Sequence, residues 1–293
     1  MKRFIAAVFL LLTGAGLMAQ KQNSLLWRIK SPEGQISHLF GTYHLLGSDY
    51  VHSHPLLKAT FNESRVTVVE TKIDSSQMFQ VAMMAMMKNT TLPELMDSAD
   101  YNKVKVLLEE IGLPPAAANR MKPIALTAAY SLKLANEHTP DNLNFEGMPI
   151  DAYFAISAEK QGQKLVTLET MQEQLEMLYN AQSLEDQAED LLAMVEDKEH
   201  VGEAMAELLQ AYLQQDLKAM LAISEEQEEV TGDMALLLDE RNERWVKQLT
   251  PIIDEGQAFI AVGALHLAGE QGLVSLLTQE GYTLEPVAYS AKR

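Results

Sequence analysis

Two eight-residue segments near opposite ends of the chain repeat each other without a gap: Phe40-Gly41-Thr42-Tyr43-His44-Leu45-Leu46-Gly47 and Val262-Gly263-Ala264-Leu265-His266-Leu267-Ala268-Gly269. Each follows a short apolar run of strand length, Ile36 to Phe40 and Ala258 to Val262. Glycine, histidine, leucine and glycine recur in register in the same context. That constrains the fold to two related strand-loop units facing one another, each bringing an imidazole to the carboxyl edge of one sheet. In open α/β sheets ligands bind at that edge. The glycines are read in two ways: the chain leaves the strand with a geometry a Cβ disfavours, and a missing side chain leaves room for substrate or metal.

The remaining elements fit around this pair. Leu25 to Ile29 and Ile36 to Phe40, separated by Ser31-Pro32-Glu33-Gly34, read as a β-hairpin. Ser53-His54-Pro55 reads as a helix start with proline at the first helical position, leading into a helix to about Asn62. Val66 to Val69 is a buried strand ending in Glu70, and Lys164 to Leu168 is another ending in Glu169. Apolar residues recur at helical spacing between about 76 and 163, as in Val104, Leu107, Leu108 and Ile111, and again from about 171 to 249. A helix over 270–279 and a strand over 282–289 close the chain. The pattern predicts one α/β (α+β) domain over 20–293: a mixed central sheet flanked by helices, with helical insertions over about 76–163 and 171–249.

Lys2 and Arg3, an apolar stretch from Phe4 to Leu12 and small residues near Ala19 have the form of a secretory signal peptide, so residues 1–19 are set aside. The stretch is short of the roughly 20 residues a spanning helix needs. No later segment reads as a membrane span, and the predicted location is periplasmic or secreted. Such compartments permit disulfides, yet there is no cysteine, so stability must come from core burial or a bound ion. The formal charge is -18, and no Lys/Arg cluster follows the leader. Nucleic acid is therefore excluded as an expected partner. A peptide or small-molecule substrate is expected instead; oligomeric state has no signature.

Histidine supplies a neutral nitrogen ligand or a base working near neutral pH. His44 and His266 with Glu70 form a set able to hold a divalent cation with positions open for water. The ion would acidify that water and polarise a carbonyl. Arg241, in a helix with Trp245 and Leu249 turned inward, reads as a stabiliser of a developing oxyanion, as a grip on a carboxylate in the cleft, or as a surface ion pair. Glu169 reads as orienting a ligand histidine or as capping the helix that starts near Met171. Asp151 begins the helix after Pro149 or joins the site. Tyr43 donates to substrate or packs in the core. His52 and His54 read as solvated, and Met83, Met84, Met86 and Met87 as an adaptable helix face or groove lining.

These motifs also carry a resemblance. The strand-Gly-x-x-His start, Val68-Val69-Glu70, Gly147-Met148-Pro149-Ile150-Asp151, Leu168-Glu169-Thr170 with Gln172 and Gln174, Arg241-Asn242 and Val262-Gly263-Ala264-Leu265-His266-Leu267 occur in that order. Together they resemble the TraB/GumN family, related to the Tiki proteases and more remotely to erythromycin esterases and ChaN-like haem-binding proteins. The resemblance spans essentially all of 20–293. It implies that His44 and His266 are the paired motif histidines, Glu70 the acid after the first, and Arg241 and Asn242 the polar pair before the last motif. It implies a metal-dependent peptidase using manganese first, with cobalt or zinc as alternatives. The esterase relatives imply a second reading, a metal-free hydrolase with His44 as general base. The haem-binding relatives imply a third, a periplasmic binding protein without turnover.

Overall fold

The computed structural model describes residues 23–72, 75–140, 143, 145–226 and 235–291; the expected leader over 1–19 lies outside them. Six strands form one mixed sheet: β1 (Leu26–Lys30), β2 (Ile36–Thr42), β3 (Val66–Val69), β4 (Lys164–Thr167), β5 (Ala258–Gly263) and β6 (Thr283–Pro286), in spatial order β4-β3-β5-β2-β1-β6. β4, β3, β5 and β2 run parallel, while β1 pairs antiparallel with both β2 and β6. The two repeated motifs thus leave neighbouring parallel strands, Gly41 beside Val262 and Thr42 beside Gly263. Val69 lies beside Ala261 on the other flank of β5, so Glu70 emerges at the same edge.

Among the described residues there are fourteen helices. They are α1 (Asp49–Ser53), α2 (Pro55–Asn62), α3 (Met78–Met84), α4 (Leu92–Leu95), α5 (Ser98–Glu110), α6 (Pro115–Ala118) and α7 (Pro123–His138). After them come α8 (Ile150–Lys160), α9 (Met171–Asn180), α10 (Leu184–Glu196), α11 (Lys198–Leu213), α12 (Leu217–Glu226), α13 (Glu240–Glu255) and α14 (Leu273–Gln279). Burial on both faces explains the near-continuous apolar run of β5. Phe40, Phe61, Phe154 and Phe259 meet in the sheet core, with Phe154 and Phe259 centroids 5.0 Å apart. Within the helical stretches, α8 and α13 join that core through Phe154, Trp245 and Leu249. A second cluster, including Leu92, Leu107, Leu126, Leu134 and Leu191, holds α4, α5, α7 and α10 together.

The sequence boundaries shift at several places. β2 runs through Gly41 and Thr42, the last helix begins at Leu273 after a turn closed by Gly272 N–H to Gly269 O at 3.3 Å, and the last strand ends at Pro286. Pro55 does open α2, but α1 precedes it, and His54 between them is buried. Its Nδ1 bonds Tyr50 O at 2.7 Å and its ring packs on Tyr50, so of the two histidines expected to be solvated only His52 is exposed. Met87 enters the second core, whereas Met83 is exposed beside a groove shared with Tyr179. The methionines thus divide between the two roles considered for them.

Of the motif glycines, Gly269 adopts a left-handed backbone at φ 79°, but Gly41 and Gly263, where the chain leaves the strands, do not. For those two the expected strained exit from the strand is not found, and close approach is the reason for both. A Cβ on Gly41 would stand 2.9 Å from Ala264 Cα, where the loop after β5 crosses β2. A Cβ on Gly263 would stand 3.2 Å from Glu70 Oε1, 3.5 Å from His266 Cδ2 and 3.7 Å from His44 Nε2. One glycine lets the two motif units pack. The other leaves a cradle between the three candidate ligands.

Candidate functional site

Glu70 is the hub. It is buried, and its Oε1 accepts the Gly263 N–H at 2.7 Å while Oε2 accepts Arg241 Nη2 at 2.7 Å and Gln174 Nε2 at 3.1 Å. Burial opposes ionisation, but the facing His266, His44 and Arg241, with the Gly263 N–H, outweigh it and hold its pKa down to about 2. Since His266 is neutral at pH 7, the cationic His44, the guanidinium and the N–H are its standing partners.

His266, on a short turn over Ala264–Leu267, is also buried. Asn242 Nδ2 donates to His266 O at 3.3 Å and Gln271 O at 2.8 Å, which turns its Oδ1 toward His266 Nδ1, 2.8 Å away. An amide oxygen only accepts, so Nδ1 carries the proton and Nε2 keeps a lone pair. That lone pair accepts Arg241 Nη1 at 3.1 Å. Trp245 packs against the ring at a tilt of 41°, with centroids 4.3 Å apart. Burial first, then the cations Arg241 and His44, push the His266 pKa down to about 3 against the pull of Glu70.

His44 is the opposite case. Its side chain is 66% exposed, and its Nδ1 meets Asp151 Oδ2 at 2.8 Å. Asp151 is placed by local structure: Gly47 N–H donates to Phe145 O, Ser48 N–H to Met148 O and Ile150 N–H to Leu46 O, a ladder docking the first motif onto the start of α8. Thr42 Oγ1 donates to the other carboxylate oxygen. The Asp151 charge, helped by its hydrogen bond and by Glu70, raises the His44 pKa to about 9. Nε2 is left facing a cleft of about 270 Å³ bordered by Glu70, Asp151, Val69, Ala155, Met171 and Gln174.

The structure also places the remaining candidates. Arg241 is buried, and all three guanidinium nitrogens are engaged: Nε on Glu169 at 3.1 and 3.2 Å, Nη1 on Leu237 O and His266, Nη2 on Glu70. It grips the protein's own carboxylates, so it positions Glu70 and His266 and is neither a surface pair nor a donor aimed at the cleft. Glu169 takes neither role considered for it. It orients Arg241, with Trp245 Nε1 and Arg244 Nη2 as further donors, and Thr170 caps α9. Tyr43 packs on Tyr212 at 5.3 Å, with burial pushing its hydroxyl up to about 12. Thr42 and Gln174, quoted within the motifs but given no role there, and Trp245, read only as turned inward, also join the site. The capping box Thr170-x-x-Glu173 fixes where α9 starts, and that start places Gln174; the signal was present in the sequence.

The donor types match a divalent cation, because carboxylate and imidazole both suit manganese-like ions. His44 Nε2 and Glu70 Oε1 border the Gly263 cradle. His266 Nε2 joins them only if Arg241 releases it, and among the described residues no three carboxylate or imidazole groups stand as a ready ligand set.

The chain that carries this buried ion network is matched by a family model. Neither a curated protein nor a solved structure matches the chain. The model described as TraB/PrgY/gumN family covers residues 25–286, and the chain belongs to that family.

Proposed function

We propose that this protein is an exported metal-dependent hydrolase acting on a peptide or ester carbonyl, with His44 as the group that meets the reacting water. The observation that carries this reading is the Asp151–His44 pair, which presents a free Nε2 to a cleft whose floor is a clamped, ionised Glu70. A cation, manganese as the first choice, would be held by His44 Nε2 and Glu70 Oε1; when bound, it supplies Lewis-acid polarisation and an acidified water. The chain's own residues do the rest. Asp151 fixes the ring and its tautomer and makes the imidazole more basic. Arg241 holds Glu70 ionised and in place, and Asn242 holds His266.

Because Asp151 raises the His44 pKa, the ring is cationic at neutral pH and must lose its proton to act as ligand or base. Cation affinity and turnover should both climb as pH rises toward about 9. The test is a peptide and ester screen of the protein lacking residues 1–19, with and without Mn²⁺, beside elemental analysis. Hydrolysis that EDTA removes and Mn²⁺ restores, and that falls by about a thousandfold in His44→Ala without loss of helical CD signal, is the expected result. Turnover indifferent to EDTA but lost in His44→Ala would make His44 a general base acting alone. Undiminished turnover in His44→Ala overturns the proposal.

A further inference from the structure

Thr71 comes directly after Glu70 and lines the same cleft. Its Oγ1 is the only buried side-chain nitrogen or oxygen among the described residues without a hydrogen-bond partner. Buried polar groups are nearly always paired, because an orphan carries the full cost of its desolvation. A threonine held in that condition beside the reacting groups is a group waiting for a ligand. A hydroxyl donates and accepts, so it can meet either the N–H or the C=O of an amide.

The rest of the cleft narrows what that ligand is. Lining the cleft with Thr71 are Val69, Ala152, Ala155, Ile156 and Met171, an apolar set contributed mainly by one side of α8. Ala152 and Ala155 are small where larger residues would close the space. The lysine at this end, Lys72, is paired with Glu159 Oε1 at 2.6 Å. A volume of about 270 Å³ suits one residue-sized fragment.

We propose that Thr71 and the Ala152–Ala155–Ile156 wall form the specificity subsite, taking an uncharged, apolar side chain next to the scissile carbonyl while Thr71 hydrogen-bonds the backbone amide of that residue. This rests on the hydrolase reading for what lies beside the subsite, but binding can be measured without turnover.

The probes are N-acetyl-leucine amide and N-acetyl-glutamate amide, titrated by NMR chemical shift into the protein without residues 1–19. The leucine probe should bind, and the glutamate probe at least about tenfold more weakly. Thr71→Val should weaken the leucine probe about fivefold, in the range of one neutral hydrogen bond, and Thr71→Ser should restore it. Ala152→Leu should weaken it through volume alone. Thr71→Val should also melt no lower than the parent, because it removes an unpaired polar group at constant shape. A lower melting temperature with unchanged binding makes the hydroxyl structural and overturns the proposal. So does equal binding of both probes, or no binding of either. If the leucine probe binds through Thr71 and no substrate is ever turned over, the subsite stands and the hydrolase reading falls. If turnover is found with a KM indifferent to Thr71→Val, the reverse holds.

Discussion

His44 and His266 occupy equivalent places in two segments that align without a gap, and the fold gives them opposite chemistry. One ring is open to the cleft and held cationic by Asp151; the other is sealed under Trp245, held neutral by burial, with its lone pair on Arg241. The difference arises from the element that packs against each motif. After Gly47 the chain docks on the start of α8 and receives a carboxylate, while the loop after β5 receives α13 and an arginine. A repeat in sequence therefore built an asymmetric pair, one imidazole open to the cleft and one tied into the scaffold.

The largest expected effect comes from removing the group that seals the His266 side. Arg241→Met leaves Glu70 and Glu169, both buried, without their main counter-charge. Breaking a buried ion pair from one side costs about 3–5 kcal/mol. Urea denaturation should show a loss of that size, and the same variant should free His266 Nε2, so a stability-corrected rise in Mn²⁺ affinity would sharpen the contrast. A loss below about 1 kcal/mol would mean that the network is not what holds this end of the sheet.

Next in size is Asp151→Asn, which attacks the asymmetry from the His44 side. Turnover should fall about 10–100-fold, the usual effect of losing a group that orients a functional histidine. In NMR titrations the parent should show His44 titrating near 9 and His266 still neutral below pH 4; in Asp151→Asn the His44 midpoint should drop toward its ordinary 6.5. The two rings also leave different marks on stability. A histidine with a depressed folded pKa binds fewer protons than the unfolded chain, so its contribution is complete above 6.5 and is lost as pH falls toward 3. Glu70 acts in the same direction, its contribution present above 4.5 and lost as pH falls through about 2. His44 has the opposite sign, its contribution present below 6.5 and lost as pH rises through 9, although solvent around its exposed ring screens it. Acid denaturation should therefore report on the His266 side, and coincident titration of the two histidines would break the comparison.

The sequence made legible what depends on local pattern. Apolar runs ending in acids located β3 and β4, the repeat located both histidines, and the order of motifs matched the family. Asp151 stayed ambiguous because an acid in the first turn after a proline is equally a helix-start signal, and its partner lies 107 residues away. Arg241 stayed ambiguous because a charged residue on an amphipathic helix is usually solvated. Only the packing of α13 beneath the sheet edge shows that this one is buried, and with it the role of Glu169. Thr71 had no signature at all, since an orphaned hydroxyl exists only in three dimensions.

The smallest effects fall on the two glycines, where the same added methyl should be read differently by each half of the pair. In Gly41→Ala the methyl meets backbone, Ala264 Cα at 2.9 Å, which cannot move without shifting the loop that carries His266. The expected cost is about 1–2 kcal/mol of stability, in the range for overpacking a tight core. In Gly263→Ala the nearest atom is Glu70 Oε1 at 3.2 Å, and a few tenths of an ångström of carboxylate movement relieves it. Stability should change by less than about 1 kcal/mol. The methyl nevertheless fills the cradle between His44 Nε2 and Glu70 Oε1, so Mn²⁺ affinity and turnover should fall together while the melting temperature barely moves. Calorimetric titration of Mn²⁺ against both variants decides it. If Gly41→Ala loses the ion and Gly263→Ala keeps it, the cation does not sit between those two groups, and the division of labour between the motifs must be redrawn.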